Sequence, residues 1–298
     1  AREPAPWRAD APDLRVFAIA PDGLALFDDL GVGAAIRAAR AQPYRRMRVW
    51  DAAGGGELDF DATALGRDAL GHIIENDLIV DRLWAACRAQ AGIDVACPAT
   101  IESFVQDGEG VQATLSDGRV LSAKLLVGAD GARSRVRELA GIAVDAHDYG
   151  QQGLVAFVTT ERPHEDTAWQ RFLTTGPLAF LPFADGRCSI VWTLPTDEAQ
   201  RLRTCDEAGF LRELTRAFDA RLGEVRSVSA RAAFPLRRQL AKDYVAGRIV
   251  LAGDAAHVVH PLAGQGVNLG LRDVSALRAA WREAQARGVD VAAPHRLA

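Results

Sequence analysis

Between residues 248 and 270 the chain places an acid, a proline and several glycines in an order suited to holding a ligand. Arg248-Ile249-Val250-Leu251-Ala252 reads as an apolar strand, and Gly253-Asp254 stand at its end. A turn through Ala255-Ala256-His257-Val258-Val259-His260 reaches Pro261, and Leu262-Ala263-Gly264-Gln265-Gly266-Val267-Asn268-Leu269-Gly270 opens a helix. The first turn of a helix has free N–H groups and the positive end of the helix dipole. Such a junction therefore favours an anionic or electron-rich ligand. Asp254 can accept two hydrogen bonds, which suits a sugar hydroxyl. Glycines at 264, 266 and 270 let the backbone approach a flat ring with no Cβ in the way.

Three further segments have the same character. Gly128-Ala129-Asp130-Gly131-Ala132-Arg133-Ser134-Arg135-Val136-Arg137 puts an acid and a glycine between a strand and a helix. Asp130 suits a ligand, and equally suits capping that helix. The three arginines could attract a dinucleotide phosphate or simply form a solvated face. Leu70-Gly71-His72-Ile73-Ile74-Glu75-Asn76 leads into a helical run, with Asn76 either an amide contact to a ligand or a helix N-cap. Arg15, in Leu14-Arg15-Val16, is a ligand contact or an edge-strand surface arginine. His257 and His260 flank a turn without a visible third ligand, so they do not define a metal site. His72 has no acid near it in sequence and reads as structural. Cys87, Cys97, Cys188 and Cys205 form no C-x-x-C pair and fit a reducing compartment. No G-x-S-x-G elbow is present, so hydrolase chemistry has no support.

Taken together, these segments resemble the FAD-dependent aromatic hydroxylases, the class A flavoprotein monooxygenases. The run from Gly253 to Asp273 is similar in particular to the ubiquinone-biosynthesis hydroxylase family. The resemblance implies that Asp254 binds ribitol or ribose hydroxyls of FAD and that Pro261 lies against the isoalloxazine. It implies that Gly264, Gln265, Gly266, Val267 and Asn268 face the pyrimidine end of the flavin. Asp130 and Gly131 correspond to a motif at the pyrophosphate and ribose, which also bears on NAD(P)H as co-substrate. Asn76 corresponds to a contact to the FAD phosphate or ribose, and Arg15 to an arginine at the mouth of the FAD site. The activity implied is hydroxylation of a prenylated phenol with NAD(P)H and O2. No acid or base residue is assigned. A prenylated substrate implies contact with a membrane surface or with a ubiquinone-biosynthesis complex, and the expected location is cytoplasmic, with the inner membrane face as the peripheral site. Flavin halogenases carry a W-x-W-x-I-P string that this chain lacks. A non-catalytic scaffold of the same fold, and more weakly a plain NAD(P) dehydrogenase, are the alternative readings.

Periodicity and punctuation give the supporting strands and helices. The chain has 298 residues, 49% hydrophobic and 25% charged, which suits a globular protein of about two domains. A net charge of −4 argues against nucleic acid as a partner. A strand is expected at 13–19, a helix from Pro21, strands at Met47–Asp51 and around Phe60, and a helix at 77–87. Strands at 100–105 and 111–115 precede an Asp117-Gly118 hairpin turn. A strand at 125–127 leads to a helix at 133–139. From about 148, strands at 154–160, 169–173, 178–183 and 188–194 make an antiparallel sheet, followed by a helix at 206–222 and a strand at 226–234. The expected fold is α/β: a Rossmann-like FAD-binding fold of the para-hydroxybenzoate-hydroxylase type, with an inserted antiparallel substrate domain. Its parts are 1–147 and 241–298 for FAD and 148–240 for substrate. The opening βαβ unit with G-x-G-x-x-G is missing. Gly31-Val32-Gly33-Ala34-Ala35-Ile36 is no substitute, because it follows a helical pattern and its sixth residue is isoleucine. Ala1-Arg2-Glu3-Pro4 resembles the segment after the family's second strand. The chain is therefore expected to be truncated at both ends and to bind FAD weakly or not at all by itself.

Overall fold

A computed structural model describes residues 3–260 and 265–292. The strands and helices in chain order are β1 (Val16–Ile19), α1 (Pro21–Asp29), α2 (Gly33–Arg40), β2 (Gln42–Tyr44), β3 (Arg46–Asp51), β4 (Glu57–Asp61), β5 (Gly71–Glu75) and α3 (Asn76–Ala89). Then come β6 (Ile101–Gln106), β7 (Val111–Leu115), β8 (Val120–Ala123), β9 (Leu126–Gly128), α4 (Arg135–Leu139), β10 (Val144–Thr160), β11 (Thr167–Leu173), β12 (Gly176–Pro182) and β13 (Cys188–Pro195). The last are α5 (Thr196–Thr204), α6 (Glu207–Ala217), β14 (Val225–Val228), β15 (Ala232–Ala241), β16 (Val245–Ala246), β17 (Ile249–Leu251), β18 (His257–Val258) and α7 (Gln265–Ala286). The chain divides into two compact units. One is built from Cys87–Asp148 and the described residues from Arg237 onward, the other from Ala5–Ala86 and Tyr149–Leu236.

In the unit containing Tyr149–Leu236, strands run side by side in the order β10-β13-β12-β11-β3-β4, with β14 beside β10. All neighbours are antiparallel except β3 and β11, which pair in parallel from Arg46↔Thr167 to Asp51↔Phe172. Alternation decides which side is buried. Trp50, Trp169, Phe180, Ile190, Trp192 and Leu154 pack with Phe210, Leu214 and Phe218 on and after α6. The Phe180 and Phe218 rings stack with centroids 3.7 Å apart, and Trp50 meets Phe218 edge-on at 5.3 Å. The same unit carries a small sheet, β1-β5-β2, antiparallel throughout.

The helix expected over 206–222 is shorter, Glu207–Ala217, and a separate helix precedes it. Residues 196–204 form α5, Cys205 turns the chain in an extended conformation, and Asp206 caps α6 by accepting from Gly209 N–H at 2.8 Å. The helix ends at Ala217, after which Asp219 and Ala220 adopt positive φ of 58° and 48°. Residues 33–40, where the sequence shows no nucleotide loop, form the amphipathic helix α2 with Ile36 buried.

The other unit holds the antiparallel sheet β6-β7-β8 and a second sheet, β16-β17-β9, in which β17 and β9 are parallel. Val111, Val136, Ile249, Leu251 and Ala256 form its core. Buried Arg248 anchors the start of β17: its guanidinium donates to the Lys124 carbonyl at 3.0 Å and to Asp290 at 2.8 Å. Among the described residues, no helix is long and apolar enough to cross a membrane.

Candidate functional site

Asp254 sits on a 3-10 turn, Gly253–Ala255, immediately after β17. The backbone of this turn is braced from several directions. Ala252 N–H donates to Gly128 O, Ala256 N–H to Gly253 O, and Ala241 N–H to Ala256 O. Asp254 itself is exposed, and its carboxylate makes no hydrogen bond or ion pair with the described residues. A fixed turn thus presents an uncommitted acid. Helix α7 runs for 22 residues from Gln265, long enough for a full dipole. Gly266 and Val267 are half-buried and Asn268 is buried, on its first turns. Pro261 and Gly264, expected to face the flavin, lie outside the described residues.

The second turn of this unit comes after β9. Asp130 spends both carboxylate oxygens on α4: Oδ1 accepts from Ser134 Oγ at 2.5 Å, and Oδ2 from the Arg135 and Val136 amides at 2.7 and 3.1 Å. Burial raises its pKa, but these bonds outweigh burial and hold it below the usual carboxylate range. Of the two roles open to Asp130, capping is the one visible in its bonds. Gly131 beside it has φ of +84° and open space where a Cβ would stand, so its backbone is accessible.

The three arginines of this segment have separate fates. Arg137 is buried and donates to Ala255 O at 2.8 Å and to Ala132 O at 2.9 Å. It therefore ties the Asp254 turn to the Asp130-Gly131 turn, a role neither a phosphate site nor a solvated face predicts. Arg135 pairs with Glu138 at 3.0 Å. Arg133 is exposed and has no partner among the described residues. Burial of Arg137 depends on the packing of α4 against the 255 turn, and nothing in its local sequence marks it out from its neighbours.

In the other unit, Arg15 and Asn76 meet. The β1–β5 register brings them opposite each other, and Asn76 N–H donates to Arg15 O at 2.9 Å. The Arg15 side chain is exposed, its guanidinium 5.2 Å from the Phe17 ring centroid. The Asn76 side chain donates to Asp77 at 3.0 Å. Asp13 organises this corner by accepting the Arg15 and Asp77 amides at 2.9 and 3.3 Å. Behind it, fully buried Glu75 accepts Asp13 N–H at 3.0 Å and pairs with Arg40 at 3.2 Å. Burial pushes the pKa values of Glu75 and Asp13 up. Nothing in the sequence marks Arg40 as the partner of Glu75, and Glu75 itself stands out only as an acid beside the apolar pair Ile73-Ile74. His72 lies in β5, and burial lowers its pKa.

A parallel β9–β17 pair ending at Gly128 and Leu251, with Asp254 on the turn beyond and a separate sheet-bearing unit, fits the class of FAD-dependent monooxygenase folds. The comparisons agree. The structure of PqsL from P. aeruginosa in complex with 2-aminobenzoylacetate superposes with a TM-score of 0.80 at 24% identity, covering 95% of this chain and 79% of that one, which is likeness of fold. The family model described as FAD binding domain matches residues 7–288. The chain is 41% identical to the 3-demethoxyubiquinol 3-hydroxylase of Escherichia coli K12 over 276 residues, 92% of this chain and 70% of that protein. It is 40% identical to the ubiquinone hydroxylase UbiL of Rhodospirillum rubrum, covering 93% of this chain and 63% of that protein. The chain belongs to the FAD-binding family of ubiquinone-biosynthesis hydroxylases.

FAD is the cofactor of this family, and the residues fit it. A carboxylate unengaged among the described residues, on a braced turn, suits a polyhydroxylated chain, while the open backbone at Gly131 and the start of a long helix suit phosphate and an electron-rich ring.

Proposed function

We propose that the protein hydroxylates the aromatic ring of a polyprenylated phenol in ubiquinone biosynthesis, taking electrons from NAD(P)H and oxygen from O2. The observation that carries this is the Asp254 carboxylate on its braced turn, without a partner among the described residues, in a chain 41% identical to a 3-demethoxyubiquinol 3-hydroxylase. Bound FAD supplies the redox chemistry and oxygen activation. The chain's own residues bind and orient. Asp254 holds ribitol or ribose hydroxyls. The start of α7, at Gln265, Gly266, Val267 and Asn268, stabilises negative charge on the pyrimidine end. Gly131 and the Asp130 turn lie toward the pyrophosphate and ribose. Arg133, the uncommitted cation of its segment, attracts the NAD(P)H phosphate. The prenyl tail of the substrate favours a cytoplasmic enzyme working at the inner membrane face, beside other enzymes of the pathway.

The test is an FAD titration followed by flavin fluorescence, on this chain and on the chain extended by an N-terminal βαβ unit with G-x-G-x-x-G. Tight binding only in the extended chain, with NAD(P)H consumption on a prenylated phenol, is the expected result. Failure of both folded chains to bind FAD would sink the assignment. Tight, stoichiometric binding by the chain as it stands would overturn the expectation that the glycine-rich unit is needed.

A further inference from the structure

The turn that carries Asp254 is bracketed by two donors that converge on one atom. Gly253 N–H, just before Asp254, donates to Asp273 Oδ2 at 2.8 Å. His257 Nε2, three residues after Asp254, donates to the same oxygen at 2.6 Å. The His257 side chain is 2% exposed, and its Nδ1 is buried with no hydrogen-bond partner among the described residues, so the bond to Asp273 is its one polar anchor there. Asp273 lies on α7, three residues beyond Gly270 and so on the same side of the helix. A Cβ at Gly270 would stand 3.2 Å from Gly253 Cα. The glycine lets the helix approach the turn, and the carboxylate then reaches across to grip both of its ends.

We propose that Asp273 is the positioning residue for the cofactor acid: by holding Gly253 and His257 together it fixes the direction in which Asp254 presents its carboxylate. Asp254 has no other bond among the described residues to steer it. This rests on the reading that Asp254 meets FAD, although the clamp itself does not. Asparagine at 273 keeps an acceptor oxygen for both donors, and leucine keeps the bulk while removing the acceptor.

Two readouts separate the questions. Amide hydrogen exchange at Gly253 needs no FAD. It is expected to speed up at least about tenfold in Asp273→Leu, because a semi-buried N–H loses its acceptor, and to stay near wild type in Asp273→Asn. FAD affinity, measured on the chain extended by the dinucleotide unit, is expected to fall about tenfold or more in Asp273→Leu, with Asp273→Asn within about threefold of wild type. Gly270→Ala keeps the carboxylate but pushes the helix away. It should weaken FAD binding as well, and it decides the matter if the leucine variant does not fold. Unchanged Gly253 exchange in Asp273→Leu overturns the clamp. A folded leucine variant with wild-type FAD affinity, or a lower melting midpoint alone, overturns the positioning role, as does wild-type affinity in Gly270→Ala. Failure of the wild-type extended chain to bind FAD defeats the flavin reading instead, and the exchange measurement still decides the clamp.

Discussion

Arg133, Arg135 and Arg137 are alike in sequence and unlike in use, and the difference is burial. The motif at 128–137 was legible because its acid and glycine stand at a strand end. Which arginine turns inward was not, since that depends on where the 255 turn packs. Arg137→Ala leaves two carbonyls without their donor. It should cost about 2–4 kcal/mol in urea unfolding, with lysine restoring only part because it cannot reach both in a fork. Arg133→Ala should leave stability within about 0.5 kcal/mol and raise KM for NAD(P)H several-fold with kcat little changed. Among the thiols, burial pushes Cys188 up to about 12, so it is nearly all thiol at neutral pH. Alkylation of the native protein at pH 8 should label Cys188 only after denaturant is added, as peptide mass mapping will show. Native labelling at that position would contradict its burial.

At the scale of elements, the strand-end turns after β9 and β17 and the strands β10 to β13 are readable because each has a local cause: apolar alternation, a turn dipeptide, a glycine. The parallel pairing of β3 with β11 has no such cause. The partners are more than 100 residues apart in sequence, and nothing in Met47-Arg48-Val49-Trp50 names its neighbour. Helix α5 leaves no visible period in the sequence, because its polar run buries only Ala199 and Leu202. The expected 206–222 helix overran because its terminator is a pair of non-glycine residues at positive φ, which the sequence does not signal. Alanine in that conformation carries a steric cost of about 1 kcal/mol that glycine avoids. Ala220→Gly should therefore raise the urea midpoint, by about 0.5–1 kcal/mol in stability, although glycine's greater unfolded-state entropy opposes it. A lower midpoint would mean that the strain is absent in solution.

For the molecule as a whole, the bonded carboxylates dictate how stability responds to acid. Asp61 is held low by the Thr63 hydroxyl and amide, Asp107 by the Glu109 and Gly110 amides, and Asp290 by Arg248. Asp130 belongs with them once its bonds outweigh its burial. A carboxyl whose folded pKa lies below its unfolded value stabilises the fold above the unfolded value, near pH 4, and loses that contribution as pH falls through the folded one. Glu75 and Asp13 run the other way. Burial raises both, so the fold becomes relatively better as they protonate. Most of the lowered group are exposed turn residues whose individual contributions are small. Asp130 is the exception, because three donors at the start of α4 depend on it. The melting midpoint should therefore fall as pH is lowered from about 5 to 3, with a slope that Asp130→Asn reduces while also lowering the midpoint at pH 7. Glu75→Gln should steepen the same slope, because it removes a group that gains from acid. If Asp130→Asn and wild type lose stability in parallel down to pH 3, the bonds at α4 do not govern the ionisation of Asp130, and its capping role is weaker than its geometry indicates.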